Sequence, residues 1–404
     1  MKTQMTALAA AVTLAFGGSV YAQALIPATG GWGVDDTSSS VDNDAWGNVE
    51  DNSSAFSTMN SQRNDLNNIA APSDSSSNSS SVTQSSPVFN GDTWSSVLQG
   101  GGVGNQATVS QQQSSFTGNP LQSYVDQFGS DNAAEVDQIT SQSATADIIQ
   151  TGTANKGRVQ QLNSQNNSAL ILQAGTDNRS LINQGGPGGI SAGNQATSVQ
   201  VLFSNDSAIR QTGSTNVANS FQLGSGGDST INQQRNNNTA SYIDVGVNNT
   251  SEIYQFRAGN SLVPGNEADV FQFGLGNDSD VIQIGGGNEA SVSQLGSSAY
   301  SNIEQNGNDN DALVTQSGLG GSSSDIRQMD TNNSATVNQA GLFGVNESYI
   351  LQSDMGIHSA IVNQTNNFSA GNANISTVTQ VGATTSNASV TQTGSGNWSS
   401  TIQY

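Results

Sequence analysis

The sequence predicts an all-β fold, a β-solenoid built from strand-turn-strand coils about 22 residues long. Three observations predict it. Glutamine returns at intervals of roughly eleven residues from Gln99 to Gln403. The residues ahead of each glutamine alternate, small and branched on one side, polar or mixed on the other. Glycine commonly stands two positions after the glutamine.

The N-terminus reads differently from the rest. Lys2, the apolar run TALAAAVTLAF and the small-x-small sequence ending at Ala22 form the pattern of a secretory signal peptide, residues 1–22. The run is too short to cross a bilayer as a helix, and the chain after Ala22 contains no segment that could. Residues 23–91 are rich in Ser, Asn and Asp, as in SDSSSNSSSVTQSS, and have little to bury. They read as a disordered leader with Trp32 and Trp46 as isolated aromatics.

Residues 92–404 carry the repeat. Gln272, Gln283, Gln294, Gln305, Gln316, Gln328 and Gln339 mark successive units, and Gln392 and Gln403 mark late ones. Asp244 stands where one glutamine is due. Val281 and Val292 each precede a glutamine by two. The small residue two further back alternates between Ser and Ala, as in Ser251, Ala268, Ser279, Ala290, Ser301 and Ala312, so the true repeat is a pair of units. Period two means a strand with one selected face, here Asn288, Ala290, Val292 and Gln294 in a single unit. Gly274, Gly285, Gly296, Gly307 and Gly318 supply the positive φ of tight turns. A strand of about seven residues and a turn of about four fill each unit. Longer spacings at Gln111–Gln127, Gln184–Gln200, Gln255–Gln272 and Gln364–Gln380 carry turn residues, as insertions in a solenoid do. The first three fall on one side of the stack and the last on the other.

Glutamine suits an interior row only when its copy lies above and below it. Coils stacked at about 4.8 Å bring like side chains together. An amide both donates and accepts, so a column of amides satisfies itself. A lone buried amide would cost about 1–3 kcal/mol. The stacking is amyloid-like, and no unit can bury its face alone. The last strand, NWSSTIQY, reaches Tyr404, and its edge is expected to be open to a further strand. Asp280, Glu289, Asp309 and Asp311 are expected at solvated turns and outer faces. Arg210, Asn232, Tyr254, Ile282, Glu304 and Arg327 are expected to point outward. So mixed a surface does not form the regular threonine array of an ice-binding solenoid.

Other functions find little support. Charged residues are 10% and hydrophobic residues 33%, too few for an ordinary globular core. The formal net charge is −22 with only 9 Lys and Arg, which argues against nucleic acid. There are no cysteines, which excludes disulfides and thiolate metal sites. The single histidine, His358, is expected at an outer or turn position. No nucleophile elbow, histidine metal motif or phosphate loop is present, so neither catalysis nor a cofactor is expected. Asp309 and Asp311 lack the recurring glycine-aspartate pattern of calcium-binding β-rolls. A monomeric secreted solenoid adhesin remains as an alternative.

The frame S-x-V-x-Q-x-G-x-x-N-x-A-x-V-x-Q, read from Ser279 to Gln294, resembles the curlin repeat. TQSGLGGSSSDIRQ and TNNSATVNQAG carry the same frame. Curlin proteins are subunits of curli, extracellular functional amyloid fibres of Gram-negative bacteria. The resemblance implies a self-assembling homopolymer at the cell surface, exported through the periplasm. It also implies a nucleator subunit, an outer-membrane secretion pore and a periplasmic chaperone as partners, and a role in biofilm, adhesion and cell aggregation. This chain has more repeats and a longer leader than a typical curlin subunit.

Overall fold

The structure is a computed structural model and describes residues 77–85, 93–113, 121–185, 191–257, 264–354, 356–366 and 373–404. Residues 1–76, with the expected signal peptide, most of the expected leader, Trp32 and Trp46, lie outside them, as do much of the four inserts. The described residues contain strands and turns and no helix. They build a β-solenoid of about 13 turns, roughly 23 residues apart.

Successive strands go to alternate sheets, because each turn reverses the chain across a thin core. The first sheet has 14 strands, from Ser79–Ser85 to Trp398–Gln403, and the second has 13, from Thr93–Gly100 to Ser386–Thr393. A minor sheet pairs Ser164–Gln165 with Ser191–Ala192. Every pairing is parallel, and the register places like on like: Ser279 beside Ser301, Val281 beside Ile303, Gln283 beside Gln305. The alternation of Ser and Ala along the chain thereby becomes a Ser row in the first sheet and an Ala row in the second. Between them lie the branched rows, with Ile253, Val281 and Ile303 from one sheet and Val270, Val292 and Val314 from the other, all buried.

The fold departs from expectation in its turns, at its start and on one outer face. The turns are shorter. Glu267–Leu275, Asp278–Gly286, Glu289–Ser297 and Tyr300–Asn308 are each 9 residues long, leaving two residues between strands. The glycine after each glutamine belongs to the strand and pairs with the glycine of the next coil, as Gly274 does with Gly296. Its φ is +123°, and a Cβ there would lie 1.7 Å from the Gly296 carbonyl oxygen. Glycine is therefore required by both conformation and stacking.

The stack also begins ahead of Asp92. Ser79–Ser85 pairs with Gln106–Gln113, placing Val82 on Val109 and Gln84 on Gln111. The serine-rich composition conceals the same small-branched-Gln row in SSSVTQS.

The outer face of the first sheet is closed. Arg210, Asn232, Tyr254, Ile282, Glu304 and Arg327 form one continuous row. Yet Asn232, Ile282 and Arg327 are 0% exposed, Glu304 3% and Asp280 2%. Asp280 is thus a buried carboxylate rather than a solvated one, while Glu289, Asp309 and Asp311 are exposed as expected. The Arg327 guanidinium lies 3.9 Å from Glu304 and 3.6 Å from Asp325. Buried charges on a sheet face hold together by pairing of this kind. No described strand packs over this face.

Candidate functional site: two amide ladders and the ends of the stack

The selected face of each strand places its glutamine at the edge of the core, where the next coil's glutamine can meet it. In the first sheet the Gln283 Nε2 donates to Gln305 Oε1 at 2.9 Å, Gln305 to Gln328 at 2.9 Å and Gln380 to Gln403 at 2.8 Å. In the second sheet Gln272 donates to Gln294 at 2.8 Å, Gln294 to Gln316 at 3.0 Å, Gln316 to Gln339 at 2.9 Å and Gln364 to Gln392 at 2.7 Å. Each Nε2 also donates to a backbone carbonyl across the core, as Gln283 does to Glu267 O at 2.8 Å. The second amide hydrogen thus ties the two sheets together.

Asparagine rows close the turns. Asn288 Oδ1 accepts from the backbone N–H of Asn310 at 3.2 Å, and Asn288 Nδ2 donates to the Gly307 carbonyl at 2.9 Å. The glycines Gly274, Gly285, Gly296, Gly307 and Gly318 have φ between +121° and +146°. Four of their carbonyls, those of Gly274, Gly285, Gly296 and Gly307, accept from Asn249, Asn266, Asn277 and Asn288. Glutamine, asparagine and glycine form one bonded unit at these turns.

His358 belongs to this unit, contrary to the outer or turn position expected for it. It is 1% exposed and occupies the asparagine row. Its backbone N–H donates to Asn333 Oδ1 at 3.2 Å. Its Nε2 lies 3.0 Å from the Ser353 carbonyl oxygen, which can only accept, so Nε2 is the donor. Nδ1 lies 2.8 Å from Ser386 Oγ. The signal was present in the spacing, since His358 precedes Gln364 by the same interval as Asn288 precedes Gln294.

The ladders differ at one rung. Asp244 lies between Gln222 and Gln272 in the second sheet, and a carboxylate cannot donate upward. Neighbours compensate. Tyr242 replaces a branched residue, and its hydroxyl donates to Gln272 Oε1 at 2.9 Å. Asn249 Nδ2 donates to Asp244 Oδ1. Gly227 stands where asparagine is usual, and a Cβ there would lie 2.5 Å from Asp244 Oδ2. Burial pushes the Asp244 carboxyl up to about 7, against the opposing effect of the Asn249 hydrogen bond. Only the displaced glutamine was visible in the sequence; Tyr242 and Gly227 matter through what they touch.

The ladders are directional. All the amides donate toward the C-terminal end of the stack. At that end Gln403 Nε2 donates to Asn387 O and Gln392 Nε2 to Ile375 O, and each has a second hydrogen with no amide above it among the described residues. At the other end Gln84 and Gln99 donate inward to Gln111 and Gln127, and their oxygens accept from no described residue.

Residues 264–296, which hold Gln272, Gly274, Gln283, Gly285, Asn288, Gln294 and Gly296, match a known family. The family is the curlin associated repeat. Comparison with curated proteins gives no match. The matched span holds three successive strands, two in the second sheet with one of the first sheet between them in the chain, and stops one residue short of the end of the third. The same parallel register continues above and below it without change of pairing. Among the described residues no group of three or more potential ligands could hold a metal ion, and no helix is long and apolar enough to cross a membrane.

Proposed function

We propose that this chain is a secreted structural subunit of curli-like functional amyloid fibres, which grow by adding whole solenoids end to end. Residues 1–22 direct export and are removed, residues 23–77 lead the stack, and the fibre lies outside the cell. There it serves biofilm matrix, adhesion and cell aggregation. The ladder residues carry the function, and no catalysis is involved. A nucleator subunit, an outer-membrane pore and a periplasmic chaperone are the further partners that the curlin resemblance brings.

One observation carries the proposal: the two ends of the described stack are complementary. The last strand of the first sheet has Asn397, Ser399, Thr401 and Gln403 on its inner row, and the first strand has Asn78, Ser80, Val82 and Gln84 in the same order. In the second sheet Ala388, Val390 and Gln392 match Ser95, Val97 and Gln99. A copy set on the C-terminal end in the same direction receives donors from Gln403 and Gln392 on its Gln84 and Gln99 oxygens. This contact is heterologous and does not close on itself, so it yields a filament. Strand edges supply backbone hydrogen bonds in the same step.

The test is incubation of the purified chain without its first 22 residues, with no other protein present. The expected result is thioflavin-positive fibres with a cross-β reflection near 4.8 Å. A β-rich species that stays monodisperse at high concentration would favour a monomeric adhesin instead.

A further inference from the structure

The outer face of the second sheet carries an apolar stripe. Ile149, Leu172, Val199, Phe221, Ile243 and Phe271 occupy one row on six neighbouring strands, in unbroken register. All six are half-buried. The row is polar on either side of them: Asp126 precedes Ile149, and Ser293 and Thr315 follow Phe271. A second row, two residues along each strand, is apolar over nearly the same strands, with Val201, Leu223, Phe273 and Leu295 around a buried Val245. The row on the opposite flank carries Thr197, Asn219, Ser241 and Asp269. The result is an apolar band with a polar border, the composition of an interaction surface.

Folding of a single chain does not require this band. The equivalent row in the first sheet, Asn232 to Arg327, is buried and mostly polar, whereas the apolar row is left partly open. We propose that the band is the lateral contact between fibres of this chain, packing sheet face on sheet face against the same band of a second copy. The inference rests on the fibre reading above.

Area and spacing select this occupant. The band spans about 24 Å of stack and about 12 Å of strand, so it offers roughly 300 Å². A stable interface needs about 800 Å² per partner. One band therefore cannot hold a discrete partner or a dimer of single solenoids. In a fibre the band recurs once per subunit, and the small areas add along two aligned filaments. Only another fibre of this chain repeats with the same period. Its apolar side chains also stand about 4.8 Å apart, so the ridges of one row fit the grooves of the other. Bundling should thus follow elongation and depend on filament length.

The test compares fibres of the full chain with those of the triple variant Phe221→Thr, Ile243→Thr, Phe271→Thr, which retains good strand formers. Elongation is read by thioflavin fluorescence, and filaments per bundle are counted by electron microscopy. The expected result is elongation within about twofold of the parent and a loss of at least about fivefold in filaments per bundle. A second variant, Ile243→Lys, should separate filaments at low salt and let them re-bundle at high salt. Parent fibres that occur only as single filaments, or variants that bundle like the parent, would overturn the inference while leaving the fibre reading intact. A parent chain that forms no fibres would remove the fibre reading itself.

Discussion

The two sheets share one repeat yet differ in how well their ladders close. In the first, hydrogen bonds between glutamines run without a gap from Gln84 to Gln403. In the second, the run from Gln99 stops at Gln222, and a new one starts at Gln272. The strands on either side of Asp244 nevertheless keep perfect register. The difference separates two roles of the amides. Backbone pairing and the apolar rows hold register through a missing rung. The Gln272 oxygen and Asp244 Oδ1 find local substitutes in Tyr242 and Asn249, while Gly227 leaves room for Asp244 Oδ2.

The sharpest test interrupts the complete ladder. Replacing Gln255, Gln283 and Gln305 together by Ala removes three consecutive rungs and strands the Gln233 donor and the Gln328 acceptor. Each rung should cost about 2–3 kcal/mol from unsatisfied groups and lost packing, so the loss should reach at least 6 kcal/mol in total, about the stability of a domain. Circular dichroism during denaturant titration should show loss of cooperative unfolding, and fibres should fail to form. By contrast Gln222→Ala, beside the existing gap, should cost about 1 kcal/mol, because Gln222 Nε2 already lacks an amide acceptor above it.

Glycine should show no such difference between the sheets. Gly285→Ala in the first and Gly274→Ala in the second would each place a Cβ 1.7 Å from a carbonyl oxygen of the next coil, at φ of +121° and +123°. Both should lose about 3 kcal/mol or more in denaturant midpoint experiments. A large disparity would mean that the two turns are not equivalent.

Asp244 gives the comparison a pH axis. Its carboxyl is raised to about 7 by burial, so the folded chain binds a proton that the unfolded chain releases near pH 4. Stability from this rung is therefore full at low pH and declines as pH rises from about 4 to about 7, then levels off. Asp147, Asp269 and Glu347 are also raised by burial, with the same sign. Asp244→Gln should restore the rung, gain about 1–3 kcal/mol at pH 8 and flatten the pH dependence of the unfolding midpoint. If the variant titrates like the parent, the pH dependence arises from the other carboxyls.

The smallest effect concerns the serine row. Ser207, Ser229, Ser251, Ser279 and Ser301 are buried, and their Oγ atoms have no hydrogen-bond partner. Adjacent coils hold them too far apart to bond one another. Ser279→Ala should therefore be neutral or stabilising by about 1 kcal/mol, making the first sheet resemble the Ala row of the second.

Much of this architecture was legible in the sequence. Glutamine spacing with period-two alternation fixed the strands, their two-sheet alternation and the in-register rows, because a residue's column depends only on its distance from the glutamine. The same ruler reaches His358 and Gly227, which occupy the asparagine row in other chemical forms. Composition obscured Ser79–Ser85, where serine surrounds the motif. The short turns were hidden because glycine can either end a strand or, as here, stay inside it while neighbouring backbones approach closely. Burial of Asp280 and Arg327 had no local signal, since exposure of an outer row depends on what lies over it. The apolar band of the second sheet becomes visible only when residues about 22 apart are placed side by side.

The central claim is that amide ladders continue from one copy to the next, and elongation of parent seeds tests it most directly. Monomers carrying Gln392→Ala and Gln403→Ala lose only the last rung of each ladder, Gln364 to Gln392 and Gln380 to Gln403, and cannot donate to the next copy. The account predicts that they extend parent seeds at least about tenfold more slowly, equivalent to about 1.4 kcal/mol per addition, with an unchanged far-ultraviolet spectrum. Extension at the parental rate would contradict it.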